Sequence, residues 1–115
     1  MTQHFKPSEF ACKCGCGQTT ENSELYAVLE LVRIHYGKPV TINSSFRCHE
    51  HNEKVGGAPT SQHMLGTAAD IKVKGINARK VTLFLRDTFP ESYGIGDYKA
   101  FTHVDVRRNK ARWSK

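Results

Sequence analysis

The sequence predicts an α+β fold, a small mostly antiparallel sheet with helices packed on one face. Two stretches carry apolar residues at helical spacing, and four shorter runs are β-rich. With 115 residues the chain is long enough for one core and too short for two, so residues 1–115 are expected to form a single domain.

The elements follow in order. Residues 1–18 read as an irregular lead-in rich in Cys and Gly. Leu25, Val28, Leu29, Val32 and Tyr36 then mark a helix with one buried face, with Thr20, Asn22 or Ser23 as N-cap and Gly37 as stop. Val40 and Ile42 alternate with polar residues over 39–44, a half-buried strand. Residues 45–59 form a loop that displays Arg47, His49, His51 and the Gly56-Gly57 pair, with a helical turn around 50–55. A second strand spans 68–73, and a second amphipathic helix spans 77–88 through Ala78, Val81, Phe84 and Leu85, ending before Pro90. Runs 93–97 and 101–106 form a hairpin joined by Tyr98-Lys99-Ala100, which places His103 inside a strand.

A mean hydropathy of −0.52 and a hydrophobic share of 38 % describe a soluble domain with a modest core. No apolar run approaches the roughly 20 residues of a membrane span, and no basic-then-apolar leader opens the chain. The chain is accordingly expected to be cytoplasmic when made, and a monomer. Its net charge of +6 attracts polyanions, whether nucleic acid, acidic lipid or the anionic polymers of a bacterial wall. Arg107, Arg108, Lys110, Arg112 and Lys115 make residues 107–115 a basic tail. A specific nucleic-acid role is not expected, because Tyr and Phe are not interleaved with the basic residues as a stacking platform requires.

Cys12, Cys14, Cys16 and Cys48 lack the tandem C-x-x-C spacing of a structural zinc site. Three states stay open for them. They remain free thiols, they pair as disulfides in an oxidising medium, or some of them join Cys48, His49 or His51 around a second metal.

The chemistry concentrates elsewhere. His63, Asp70 and His103 offer two imidazoles and a carboxylate on a loop and two strands, the donors of a catalytic zinc centre that keeps a fourth position for water. Asp70 sits among Ala68, Ala69 and Ile71, where a buried carboxylate is costly unless a cation or hydrogen bonds compensate it. On a strand, His103 and Asp105 project to one face.

The run Ser61, His63, Gly66, Ala68, Asp70, followed by His103-Val104-Asp105, resembles the zinc D-alanyl-D-alanine carboxypeptidases and their phage endolysin relatives, which share the hedgehog fold. Ser44-Ser45-Phe46-Arg47 and residues 52–58 extend the resemblance over nearly the whole chain. It implies that His63, Asp70 and His103 hold zinc and that Arg47 grips a carboxylate or carbonyl of the peptide, a role suited to its planar fork of donors. Ser44, Ser61 and Gln62 are expected along the substrate cleft, with Ser45 beside them, and Asp105 is a candidate to orient a ligand histidine. For the general base, relatives place an acid three residues before the last ligand, here Ala100, or six before it, here Asp97. Asp97 is therefore the first candidate for that catalytic role and Asp105 the second.

The implied function is zinc-dependent cleavage of D-amino-acid-containing stem peptides of bacterial peptidoglycan, as a carboxypeptidase or an endopeptidase. It would act on the wall after release or as part of a virion. The alternative is a catalytically weak zinc-containing module that binds within a virion or wall, suggested by Ala100.

Overall fold

A computed structural model describes residues 5–19, 22–57 and 62–114 of the chain. Five strands, β1 (Val40–Ser44), β2 (Ala68–Val73), β3 (Gly94–Asp97), β4 (Thr102–Asp105) and β5 (Ala111–Ser114), form one sheet in the order β1-β2-β4-β3-β5. Every pairing is antiparallel except β3 with β5, which is parallel. Three helices accompany it, α1 (Ser23–Tyr36), α2 (His49–Lys54) and α3 (Ala78–Thr88). The α+β class and the mostly antiparallel sheet agree with the sequence reading.

Local chemistry sets the helix ends. The Asn22 side chain accepts the Leu25 N–H at 2.9 Å at the start of α1, and Gly37 closes that helix in the left-handed conformation at φ 61°. Asn77 caps α3 in the same way through the Lys80 N–H at 3.0 Å.

Alternation along the strands divides the sheet into two faces. Val40, Ile42, Ala69, Ile71, Val73, Ile95 and Val104 point to one side and pack with Leu25, Leu29 and Val32 of α1 and Val81 and Leu85 of α3. Asp70, His103 and Asp105, offset by one residue from those positions, point to the other side. The pleat that builds the core therefore also builds a polar face opposite it.

Two regions differ from expectation. The lead-in is not merely irregular: residues Pro7–Phe10 form a 3₁₀ turn, and Phe5 and Phe10 are buried in the core, with Phe10 4.5 Å from the Tyr26 ring. Nor are residues 107–115 simply a basic tail. Residues Ala111–Ser114 add β5 to the sheet, and the Arg112 guanidinium donates to the carbonyls of Phe89, Ser92 and Tyr93 at 2.6, 3.0 and 2.7 Å. Nonlocal parallel pairing and carbonyl partners turn what reads as solvated charge into structure.

Gly96 lies beneath Trp113 of β5, and a Cβ there would meet the indole ring. Gly96→Ala is expected to lower stability by about 1–3 kcal/mol through overpacking, read as a lower melting temperature.

Candidate metal centre

His63 sits on a turn over residues 62–66 that ends at Gly66, whose φ of 73° favours glycine. Its Nδ1 donates to the Ser45 carbonyl at 2.7 Å, which leaves Nε2 with a lone pair directed at Asp70, 3.4 Å from Oδ1. Asp70 and His103 are direct cross-strand partners on β2 and β4, and His103 Nδ1 lies 2.9 Å from the same Asp70 oxygen. One donor atom from each of the three residues falls within 4.8 Å of the others.

The surroundings fix this arrangement. His103 Nε2 donates to Asp105 Oδ2 at 2.8 Å, so Nδ1 faces the cluster. Asp105 is fully buried and receives, besides His103, the Arg107 guanidinium at 2.7 Å on each oxygen and the Gly94 N–H at 3.2 Å. A Cβ on Gly94 would collide with that carboxylate. Trp113 covers His103 with ring centroids 5.1 Å apart, and Arg107 lies over the same indole at 5.4 Å.

The electrostatics agree with a cation site. Burial pushes the Asp70 carboxyl up, but hydrogen bonds and charge from His103 and His63 outweigh it and hold it at about 2. Burial likewise raises Asp105, and His103 with Arg107 overcomes it to keep this carboxyl well below the usual range. Two imidazoles and an ionised carboxylate converging in a half-sheltered cleft suit a divalent ion such as zinc. The donor set thus fits the metal that the sequence implies.

The cluster opens into a cleft of about 830 Å³, lined among others by Arg47, Gln62, Tyr98, Phe101 and Trp113. Arg47 is held from its backbone, whose N–H donates to the His63 carbonyl at 3.0 Å. Its Nε is buried without a hydrogen-bond partner among the described residues, and burial lowers its pKa. A Cβ on Gly57 would lie 3.0 Å from Arg47 Nη1 and would strike the Asn52 side chain, so a bare backbone lets this loop close beside the guanidinium.

The remaining sequence candidates divide. Gln62 lines the cleft while its side-chain oxygen accepts from Thr67 at 2.8 Å. Ser44 is the cross-strand partner of Asp70, and Ser45 supplies the carbonyl that orients His63. Ser61 lies outside the described residues.

Neither candidate for the base reaches the cluster as one. Asp97 is on the helix side of the sheet, bound to Arg79 and 3.5 Å from the Thr82 hydroxyl, because it pairs with Thr102 and not with His103. Asp105 has the correct face, yet its two oxygens are taken by His103, Arg107 and Gly94. Apart from Asp70, no carboxylate of the described residues lines the cleft.

Arg107 and Trp113 were not among the sequence candidates. Arg107 was within reach, since extending the alternation of 103 and 105 by two residues places it on the same face. Trp113 gave no local signal. Asp105→Asn is expected to weaken metal binding about 10–100-fold while the fold persists, as measured by competition with a chromophoric chelator.

Comparison with known proteins bears on the same residues. A 34-residue stretch, 30 % of this chain, is 53 % identical to the zinc D-Ala-D-Ala carboxypeptidase of Streptomyces albus G and corresponds to 13 % of that protein's length. A family model described as peptidase M15 matches residues 3–105 and so takes in nearly all of the lead-in, strands β1 to β4 and all three residues of the cluster. With so much of its length matched, the chain belongs to the peptidase M15 family.

Proposed function

We propose that this protein is a zinc-dependent peptidase acting on D-amino-acid-containing stem peptides of bacterial peptidoglycan. The observation that carries the proposal is the convergence of His63, Asp70 and His103 beside the half-buried Arg47, whose buried Nε has no partner among the described residues. His63, Asp70 and His103 would hold the zinc, which would supply Lewis acidity toward a peptide carbonyl and acidify water at neutral pH.

The chain's own residues do the rest. Ser45 and Asp105 fix the two imidazoles by their second nitrogens, so the donor atoms need little reorganisation on binding. Arg47, at the cleft wall, offers paired N–H donors to a peptide carboxylate or carbonyl and positions the scissile bond. Tyr98 and Phe101 stack with centroids 4.5 Å apart and form an apolar wall that limits water at one side of the cleft. Support for the substrate class comes from the Streptomyces relative, whose name specifies D-Ala-D-Ala, and from the +6 charge, which suits an anionic wall. No helix among the described residues is long and apolar enough to cross a membrane.

The absence of a second carboxylate from the described cleft lining favours one alternative, a zinc-containing module that binds stem peptide without cleaving it. A defined stem pentapeptide and purified peptidoglycan separate the readings. Free D-alanine marks a carboxypeptidase, internal fragments mark an endopeptidase, and saturable binding without product marks the module and overturns the peptidase. In the same assay Asp97→Asn is expected to keep activity within about twofold of wild type. Its pair with the exposed Arg79 is worth only about 0–1 kcal/mol of stability. A large activity loss in that variant would return Asp97 to the chemistry.

A further inference from the structure

We propose that Cys12, Cys14, Cys16 and Cys48 form a second, structural zinc site that clips the N-terminal lead-in to the segment carrying Arg47. The four sulfurs all lie within 4.8 Å of one another although Cys48 is 36 positions from Cys12. Three of the separations are nearly equal: Cys12 to Cys14 is 3.4 Å, Cys12 to Cys48 is 3.7 Å and Cys14 to Cys48 is 3.6 Å. A tetrahedral zinc with Zn–S bonds of about 2.3 Å has sulfur–sulfur edges of about 3.8 Å. A disulfide would instead draw one pair to about 2.05 Å and leave the others apart. Near-equal spacing about a common centre is the signature of shared coordination.

The backbone is folded for that purpose. Residues 12–18 make a closed loop, in which the Cys12 N–H donates to the Gln18 carbonyl at 2.8 Å and the Gly15 N–H to the Cys12 carbonyl at 3.3 Å. Gly15 and Gly17, at φ 86° and 83°, turn the chain between and after the cysteines so that all three sulfurs reach one side. The Cys48 N–H points at Cys12 Sγ, 3.4 Å away, a contact that favours a thiolate.

Burial of the cysteines as small apolar residues does not explain the cluster. Only Cys12 is buried, Cys14 and Cys16 are exposed, and Cys48 is intermediate. Four thiols gathered at the surface have no core to fill, whereas four thiolates around one zinc complete its coordination and leave no position for water. The site is therefore structural and distinct from the His63 centre.

Its placement gives it a task. The Phe46 N–H donates to the Phe10 carbonyl at 3.1 Å and the Arg47 N–H to the His63 carbonyl, so residues 46–48 are the seam between the lead-in and the His63 turn. A metal clip closing so long a loop removes entropy from the unfolded chain and holds Arg47 at its position in the cleft.

The test is metal content of protein purified under reducing conditions with zinc supplied. Wild type is expected to hold about two zinc per chain, His63→Ala about one, and Cys48→Ser about one. Cobalt loaded into His63→Ala protein should show intense near-ultraviolet sulfur-to-cobalt charge transfer. In wild type, titration of the thiols with an organomercurial should release one zinc in step with their modification. Those last two readouts use chains in which all four cysteines are present, so they decide the matter even where Cys48→Ser fails to fold. His63→Ala protein that holds no zinc and gives no charge-transfer band, or wild-type thiols that react at once without releasing metal, would overturn the proposal.

Discussion

His63→Ala is expected to reduce hydrolysis of a stem peptide at least about a thousandfold and to remove the zinc of this centre. His63 Nε2 is the ring nitrogen that faces Asp70, because Nδ1 is committed to the Ser45 carbonyl. Losing it leaves two protein donors, too few to hold the ion in an open tetrahedral site. Withdrawing metal stabilisation of the developing charge costs several kcal/mol, and about 4 kcal/mol corresponds to a thousandfold in rate. Measured kcat/KM together with zinc content checks this. Full activity in the variant would show that hydrolysis uses other residues.

Arg47→Ala is expected to raise KM about 10–150-fold with a smaller effect on kcat, the span that about 1.5–3 kcal/mol for a charged hydrogen bond allows. The buried Nε without a partner is the structural reason, since the donor is already desolvated and waits for an acceptor. Amidating the C-terminus of the substrate should cost wild type a similar factor and leave Arg47→Ala indifferent. Arg47→Lys should recover only part of the loss, because an ammonium cannot present a bidentate fork. Equal sensitivity of wild type and Arg47→Ala to amidation would place the carboxylate elsewhere.

Much of the fold was legible because it rests on short-range rules. Leu25 to Tyr36 repeats at the helical period and carries its own cap and stop, and Ala68–Val73 is bounded as a strand in the structure as in the sequence. The expected hairpin forms between β3 and β4, which is why His103 could be placed on a strand before its partner was known. What the sequence hid was nonlocal. Phe5 and Phe10 look like part of an irregular Cys/Gly-rich lead-in until Phe10 packs on Tyr26 of α1 and Phe5 on Phe10, and Trp113 looks like part of a basic tail until β5 pairs in parallel with β3.

The candidate site shows the same division. His63, Asp70 and His103 come together as the resemblance implies, since the β2–β4 register sets Asp70 opposite His103. The general base could not be read from spacing. A one-residue difference in strand position decides whether an acid faces the cluster or the helices, and Asp97 falls on the wrong side of that alternation. Asp105 falls on the right side but is consumed in holding His103. Distance along the chain carries neither fact.

Anomalous diffraction at the zinc edge, from crystals of the protein grown with zinc, tests the central claim most directly. A peak shared by His63 Nε2, the Asp70 carboxylate and His103 Nδ1 is the expected result. Zinc-supplied crystals in which that position carries no anomalous density would contradict it.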